Sequence, residues 1–142
     1  MADDELFAAE GASLADAVLA ALPAWSVRVV TALGGPADRA DVAGRDAAAA
    51  IGPALRALLA RDVDDQRANP LAIVRTAVAW PTAVLRAAGV PPVERDDFAR
   101  AHFPDDDYDL TPATFGDIDE SLQEAGIRWG AMKAHMHLQR HR

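Results

Sequence analysis

An all-α fold, a single-domain bundle of five or six helices with a long C-terminal helix, follows from three features of the sequence. Apolar residues recur at steps of three and four along most of the 142 residues. Proline and glycine punctuate the chain about every dozen residues, a rhythm that suits short to medium helices. The last third runs from an acidic to a basic half, the polarity that complements one helix dipole. Of the composition, 51% is hydrophobic but only 6% aromatic, with alanine supplying much of the rest, so thin side chains and closely approaching helices are expected. A chain of this length buries about two thirds of its unfolded surface, enough for a single core.

The composition also excludes chemistry. There is no cysteine, which removes disulfides, thiol nucleophiles and cysteine-ligated metals. A net charge of -8 and a pI near 4.8 oppose general binding to nucleic acid or to anionic membranes, because phosphate neutralisation needs clustered cations. Met1-Ala2-Asp3-Asp4-Glu5 is acidic where a secretory signal starts positive, and no uninterrupted apolar run approaches the ~18 residues of a membrane span. A cytoplasmic protein without a cofactor is the expectation.

Along the chain, residues 1–12 are expected to fray. Ser13 with Asp16 resembles a capping box opening a helix with Leu14, Val18, Ala21 and Leu22 on one face. Trp25 stays in phase beyond Pro23, predicting two nearly coaxial pieces that end at Gly34-Gly35; the alternation of Trp25, Val27 and Val29 keeps a strand as the lesser alternative. Residues 38–61 are helical again, with Ile51, Leu55, Leu58 and Leu59 apolar and an interruption at Gly52-Pro53. The loop Asp62–Asn69 follows. Asn69 caps a helix with Pro70 at its first position, running to Gly89 and bent near Trp80 by Pro81. Two of its rows (Leu71, Val74, Val78, Leu85 and Ile73, Ala77, Trp80, Val84) face the core. A short helix through Arg95, Phe98 and His102 stops at Pro104. Thr111 then caps the terminal helix, with Pro112 at its first position and Leu110 and Phe115 as a hydrophobic staple.

Between those helices lies "HFPDDDYDLTP", residues 102–112. Asp105, Asp107 and Asp109 match the first three ligand positions of an EF-hand, but Leu110 and Gly116 stand where that loop needs glycine and glutamate. The carboxylates are therefore assigned to helix initiation and solubility. His102 beside them has the makings of a base and its orienter, yet none of Ser13, Ser26 and Ser121 sits in a nucleophile signature. His137 and His141, one turn apart, form the metal candidate.

The terminal helix carries the most information. Phe115, Ile118, Leu122, Ala125, Trp129, Met132 and Met136 form one seam, and Ile127, Ala131, Ala134 and Leu138 fall on nearly the opposite side. Gly126 and Gly130 permit a close crossing between them. The second row is either internal core or a surface shared with a partner, itself or another protein, rimmed by Arg128, Lys133 and Arg140. The leading function is thus non-enzymatic protein–protein interaction through this helix.

Two other readings stand beside it. Residues 85–104 resemble the helix-turn-helix of TetR-type repressors, since Ala88-Gly89-Val90 and His102-Phe103-Pro104 match the motif's ends. The spacing is longer, Pro91-Pro92 replaces the usual polar start, and the segment lies late in the chain. The resemblance implies a transcriptional regulator contacting DNA through Arg95 and Arg100. The third reading is a small-ligand or metal-dependent catalyst. As a whole the chain resembles small helical proteins of high-GC actinobacteria, which implies a fold and no activity.

Overall fold

The computed structural model describes residues 3–61 and 69–140, with the side chains of Arg61 and Arg140 excepted. The expected loop at 62–68 and His141 lie outside the described residues. Helix α1 spans Asp3–Ala32, α2 Ala37–Arg61, α3 Pro70–Arg75, α4 Ala79–Ala87, α5 Asp97–His102, α6 Phe115–Ile118 and α7 Leu122–Arg140. No strand occurs among the described residues, and the fold is all-α with a long C-terminal helix, as the sequence predicts.

Helices α1 and α2 form an antiparallel hairpin, the spine of the bundle. The turn between them is closed by Gly35 N–H donating to Val30 O at 2.8 Å, with Gly34 at φ 85°, a left-handed position suited to glycine. Leu14, Val18, Leu22 and Trp25 of α1 are buried in one cluster with Ile51, Leu55 and Leu59 of α2. Glycine sets the separation of the hairpin. A Cβ on Gly11 would stand 1.9 Å from Leu59 O, and one on Gly44 would stand 2.6 Å from Pro23 Cα, so both helix backbones touch at these two levels.

Several sequence expectations are corrected here. Residues 3–12 are helical instead of frayed, because Phe7 is buried at 1% exposure and Gly11 packs on α2. Ser13 therefore lies within α1, and Asp16 accepts from Arg56 Nε at 3.0 Å across the hairpin instead of completing a capping box. Neither Pro23 nor Gly52-Pro53 interrupts its helix. Each proline removes one backbone donor and crowds the preceding turn, but burial on both flanks outweighs that local penalty. Contrary to the sequence reading, α1 is long and apolar enough to cross a membrane by length and composition; in this fold much of that surface packs inside the bundle.

The third layer is the broken helix 70–87. Asn69 Oδ1 accepts from Leu71 N at 3.0 Å with Pro70 next to it, the predicted cap. The distortion caused by Pro81 falls at Thr76–Val78, which tighten into a 3₁₀ turn, one turn earlier than Trp80. Pro81 has no N–H for the carbonyl of Ala77, and its ring presses on that carbonyl. Gly89 at φ 75° ends α4, with Val90 N–H on Leu85 O at 3.1 Å.

The acidic stretch is a folded loop, and it does more than start a helix. Asp106 is buried at 4% exposure and accepts from Leu110 N and Thr111 N, both at 2.7 Å, and from the Thr111 hydroxyl. Tyr108 is equally inside, its hydroxyl donating to Val90 O at 2.7 Å, and Arg86 Nε holds Asp107 at 2.7 Å. Thr111 is thus spent on Asp106 and caps nothing. The next helix starts later, at Phe115, where the Asp117 carboxylate accepts from Ala113 N and Thr114 N at 2.9 and 3.0 Å. Asp119 then leaves the helix in an extended conformation and caps the following turn through Ser121 N at 3.1 Å, so the expected continuous terminal helix is split into α6 and α7.

Asp106→Asn is expected to cost about 2 kcal/mol, because an amide nitrogen would face N–H donors in a buried site. Asp105→Asn, on an exposed neighbour, should stay within about 0.5 kcal/mol. Urea denaturation of the two variants checks this, and equal losses would show that the whole tract acts only through its charge.

Candidate interaction surface

Helix α7 is held by one face. Trp129, at 5% exposure, stacks on Phe7 with ring centroids 6.0 Å apart and meets the Phe115 ring edge-on at 6.5 Å. Its Nε1 donates to Leu59 O at 2.9 Å, the same carbonyl against which Gly11 packs, so α1, α2 and α7 meet at a single backbone oxygen. Leu122 and Met136 are buried at 4% and 5% on the same side. Gly126 admits the Phe115 ring, since a Cβ there would lie 2.6 Å from Phe115 Cδ2. Gly130 is different: its missing Cβ faces open space, so only one of the two glycines serves a crossing within the chain.

The opposite face is bare. Ile127 and Leu138 are 64% and 65% exposed, and Ala131 and Ala134 between them are exposed as well. The structure therefore brings the four predicted contact residues into one solvent-facing row. Beside it, a shallow groove of about 300 Å³ runs between α7 and the start of α1, lined by Leu6, Arg128, Ala131, Met132 and His135. Leu6, 42% exposed, extends the apolar surface onto α1, a continuation that the pattern of α7 alone could not reveal.

Of the predicted rim, Arg128 already pairs with Glu10 at 3.4 Å, and the Lys133 ammonium lies 5.5 Å from the centre of the Trp129 ring. Arg128 is thus anchored to this chain while still bordering the row; Lys133, about 130° around the helix from that row, lies on the Trp129 side. Arg140 is the last described helical residue. His137 is half-buried on α7 and His141 falls outside, and among the described residues no group of three or more His, Asp or Glu side chains is placed to hold a metal ion.

The residues of the regulator reading have partners of their own. Arg95 donates to Phe103 O at 2.6 Å, locking the end of α5, and Arg100 pairs with Asp97 on the same short helix. Nine residues, Ala88–Asp96, separate α4 from α5, where a helix-turn-helix uses about three or four. A second concave feature, about 400 Å³, lies between the 3₁₀ turn and the acidic loop. Its one cation, Arg75, lies 4.7 Å from the centre of the Phe103 ring. Along it Thr76 Oγ1 bonds Ile73 O at 2.6 Å, the Thr111 hydroxyl bonds Asp106, and His102 Nδ1 lies 2.9 Å from Phe98 O, whereas Arg75 Nε is buried with no hydrogen-bond partner among the described residues and Asp105 is exposed.

No protein family, no curated protein and no solved structure matches this chain.

Proposed function

We propose that this protein acts without catalysis, as an interaction or adaptor protein that binds through the outer row of α7. The observation that carries the reading is the pair Ile127 and Leu138, each about two thirds exposed on a helix whose other face packs on the core through Leu122, Trp129 and Met136. Single exposed apolar residues are ordinary, and Val42 at 55% is one such. A row of four at steps of four, three and four on a helix anchored through Trp129 is not, because it is the seam that helices use to pack on one another. Burying one such side chain fully contributes about 1.5–3 kcal/mol.

Photo-crosslinking in the cells that express the protein tests the reading. A photoreactive side chain in place of Leu138 is expected to give discrete protein adducts, with few from the same group in place of Val42. Equal yields from the two positions, or none from position 138, would remove the proposal.

A further inference from the structure

We infer that the concavity between the 3₁₀ turn and the acidic loop binds a small apolar zwitterion, of the kind free amino acids and short peptides are, with Arg75 on its carboxylate and Asp105 on its ammonium. The site is built from other elements than α7 and stands independently of the interaction reading. Its volume of about 400 Å³ falls in the range of small-molecule sites, and Val78, Ala79, Phe103 and Pro104 give it an apolar wall. The Phe103 ring is tilted against His102 with centres 6.4 Å apart, and His102 in turn stacks on the exposed Phe98 at 4.0 Å, so the wall continues outward as rings.

Arg75 carries the argument. Its guanidinium lies over the Phe103 ring, 4.7 Å from the centre, and its Nε is buried with no hydrogen-bond partner among the described residues. A buried donor left unmet lowers stability, and a bound partner is one of the few things that explain it in a folded protein. A carboxylate that enters the concavity and is taken by the Nε edge, after a small turn of the side chain, meets that donor with a charge-assisted bond. A carboxylate alone does not suit the site, because Asp105 and Asp106 line it as well. Asp106 is occupied by Leu110 N, Thr111 N and the Thr111 hydroxyl, whereas Asp105 is exposed and forms no ion pair among the described residues, with Arg75 or with any other cation. One concavity thus holds a cation and a carboxylate that pair neither with each other nor elsewhere among the described residues. A ligand carrying both charges on an apolar body complements both at once.

The test is a titration of the isotope-labelled protein followed by nuclear magnetic resonance, with L-phenylalanine, L-leucyl-L-phenylalanine, hydrocinnamate and phenethylamine as probes. Saturable shifts of the Arg75 Nε–H and of the His102 and Asp105 amides are expected with at least one zwitterion, at a roughly millimolar Kd for a probe of this size. Hydrocinnamate and phenethylamine carry one charge each, and should bind at least about threefold and fivefold more weakly, respectively. The tighter zwitterion gives the spacing of the two charges and so tells an amino acid from a peptide. Arg75→Met keeps the stem on Phe103 and should weaken the zwitterion at least about fivefold; Asp105→Asn should weaken it at least about threefold and leave hydrocinnamate binding undiminished. Circular dichroism confirms that the variants are folded, and should Arg75→Met fail to fold, the exposed position 105 decides alone. Shifts from neither zwitterion would mean that Arg75 meets water only and would overturn the assignment. A singly charged probe bound as tightly as the zwitterion, or a folded variant that binds as the wild type does, would overturn it as well.

Discussion

Substituting alanine for Gly11 is expected to lower the unfolding free energy by about 3 kcal/mol or more, even though alanine is the better helix former by roughly 1 kcal/mol. The new Cβ would stand 1.9 Å from Leu59 O, 2.4 Å from Leu59 C and 2.8 Å from Ala60 N, all backbone atoms that no rotamer change can move aside. The two longest helices must therefore separate at this level. The same movement strains the bond from Trp129 Nε1 to Leu59 O, so α7 loosens together with the hairpin. A melting point lower by about 10 °C is the corresponding shift. Gly130→Ala is the control. Its Cβ meets nothing within 4 Å, so the higher helix propensity of alanine should raise stability by up to about 1 kcal/mol. Thermal denaturation of the two variants gives opposite signs on this account, and a neutral Gly11→Ala would show that the hairpin is not held by this contact.

Those two glycines also show how far the sequence could be read. Local signals written within a few residues were legible: the Asn69-Pro70 start, the ends at Gly34 and Gly89, the stop of α5 before Pro104 and the rows of apolar side chains that became core. Signals decided by distant contacts were not. Ser13 looks like a helix start, but the helix begins at Asp3 because Phe7 finds Trp129 and Gly11 finds Leu59, partners more than forty residues away in sequence. Thr111 looks like a cap until the fold gives its hydroxyl and N–H to Asp106. Pro23 and Pro53 look like breaks, and the packing of the hairpin carries the helices through them.

The candidate site divides along the same line. The periodicity of α7 revealed two apolar rows and could not say which one the chain itself covers, since that depends on where Phe7, Leu59 and Phe115 end up. The structure commits the Trp129 row to the core and leaves the Ile127 row outside. The extension of that surface onto Leu6 had no signal in the sequence, because it joins residues from opposite ends of the chain. In the acidic stretch the crowding of carboxylates was plain, but the burial of Asp106 and Tyr108 depends on Val90 and on the turn at Leu110-Thr111.

Binding through the outer row of α7 is tested most directly by fluorescence-detected sedimentation velocity of the labelled protein in extract of the cells that express it, comparing the wild type with the double variant Ile127→Asp, Leu138→Asp. Both positions are about two thirds exposed in the single chain, so the variant should keep its helical signal and its melting temperature within a few degrees. Two carboxylates would then stand in the apolar contact, with an expected loss of affinity of at least about 100-fold. The wild type is expected to sediment in a species larger than its own 15.0 kDa, and the folded double variant to sediment at 15.0 kDa. A wild type that sediments at 15.0 kDa, a double variant that still enters the larger species, or one that unfolds, would contradict binding through this row.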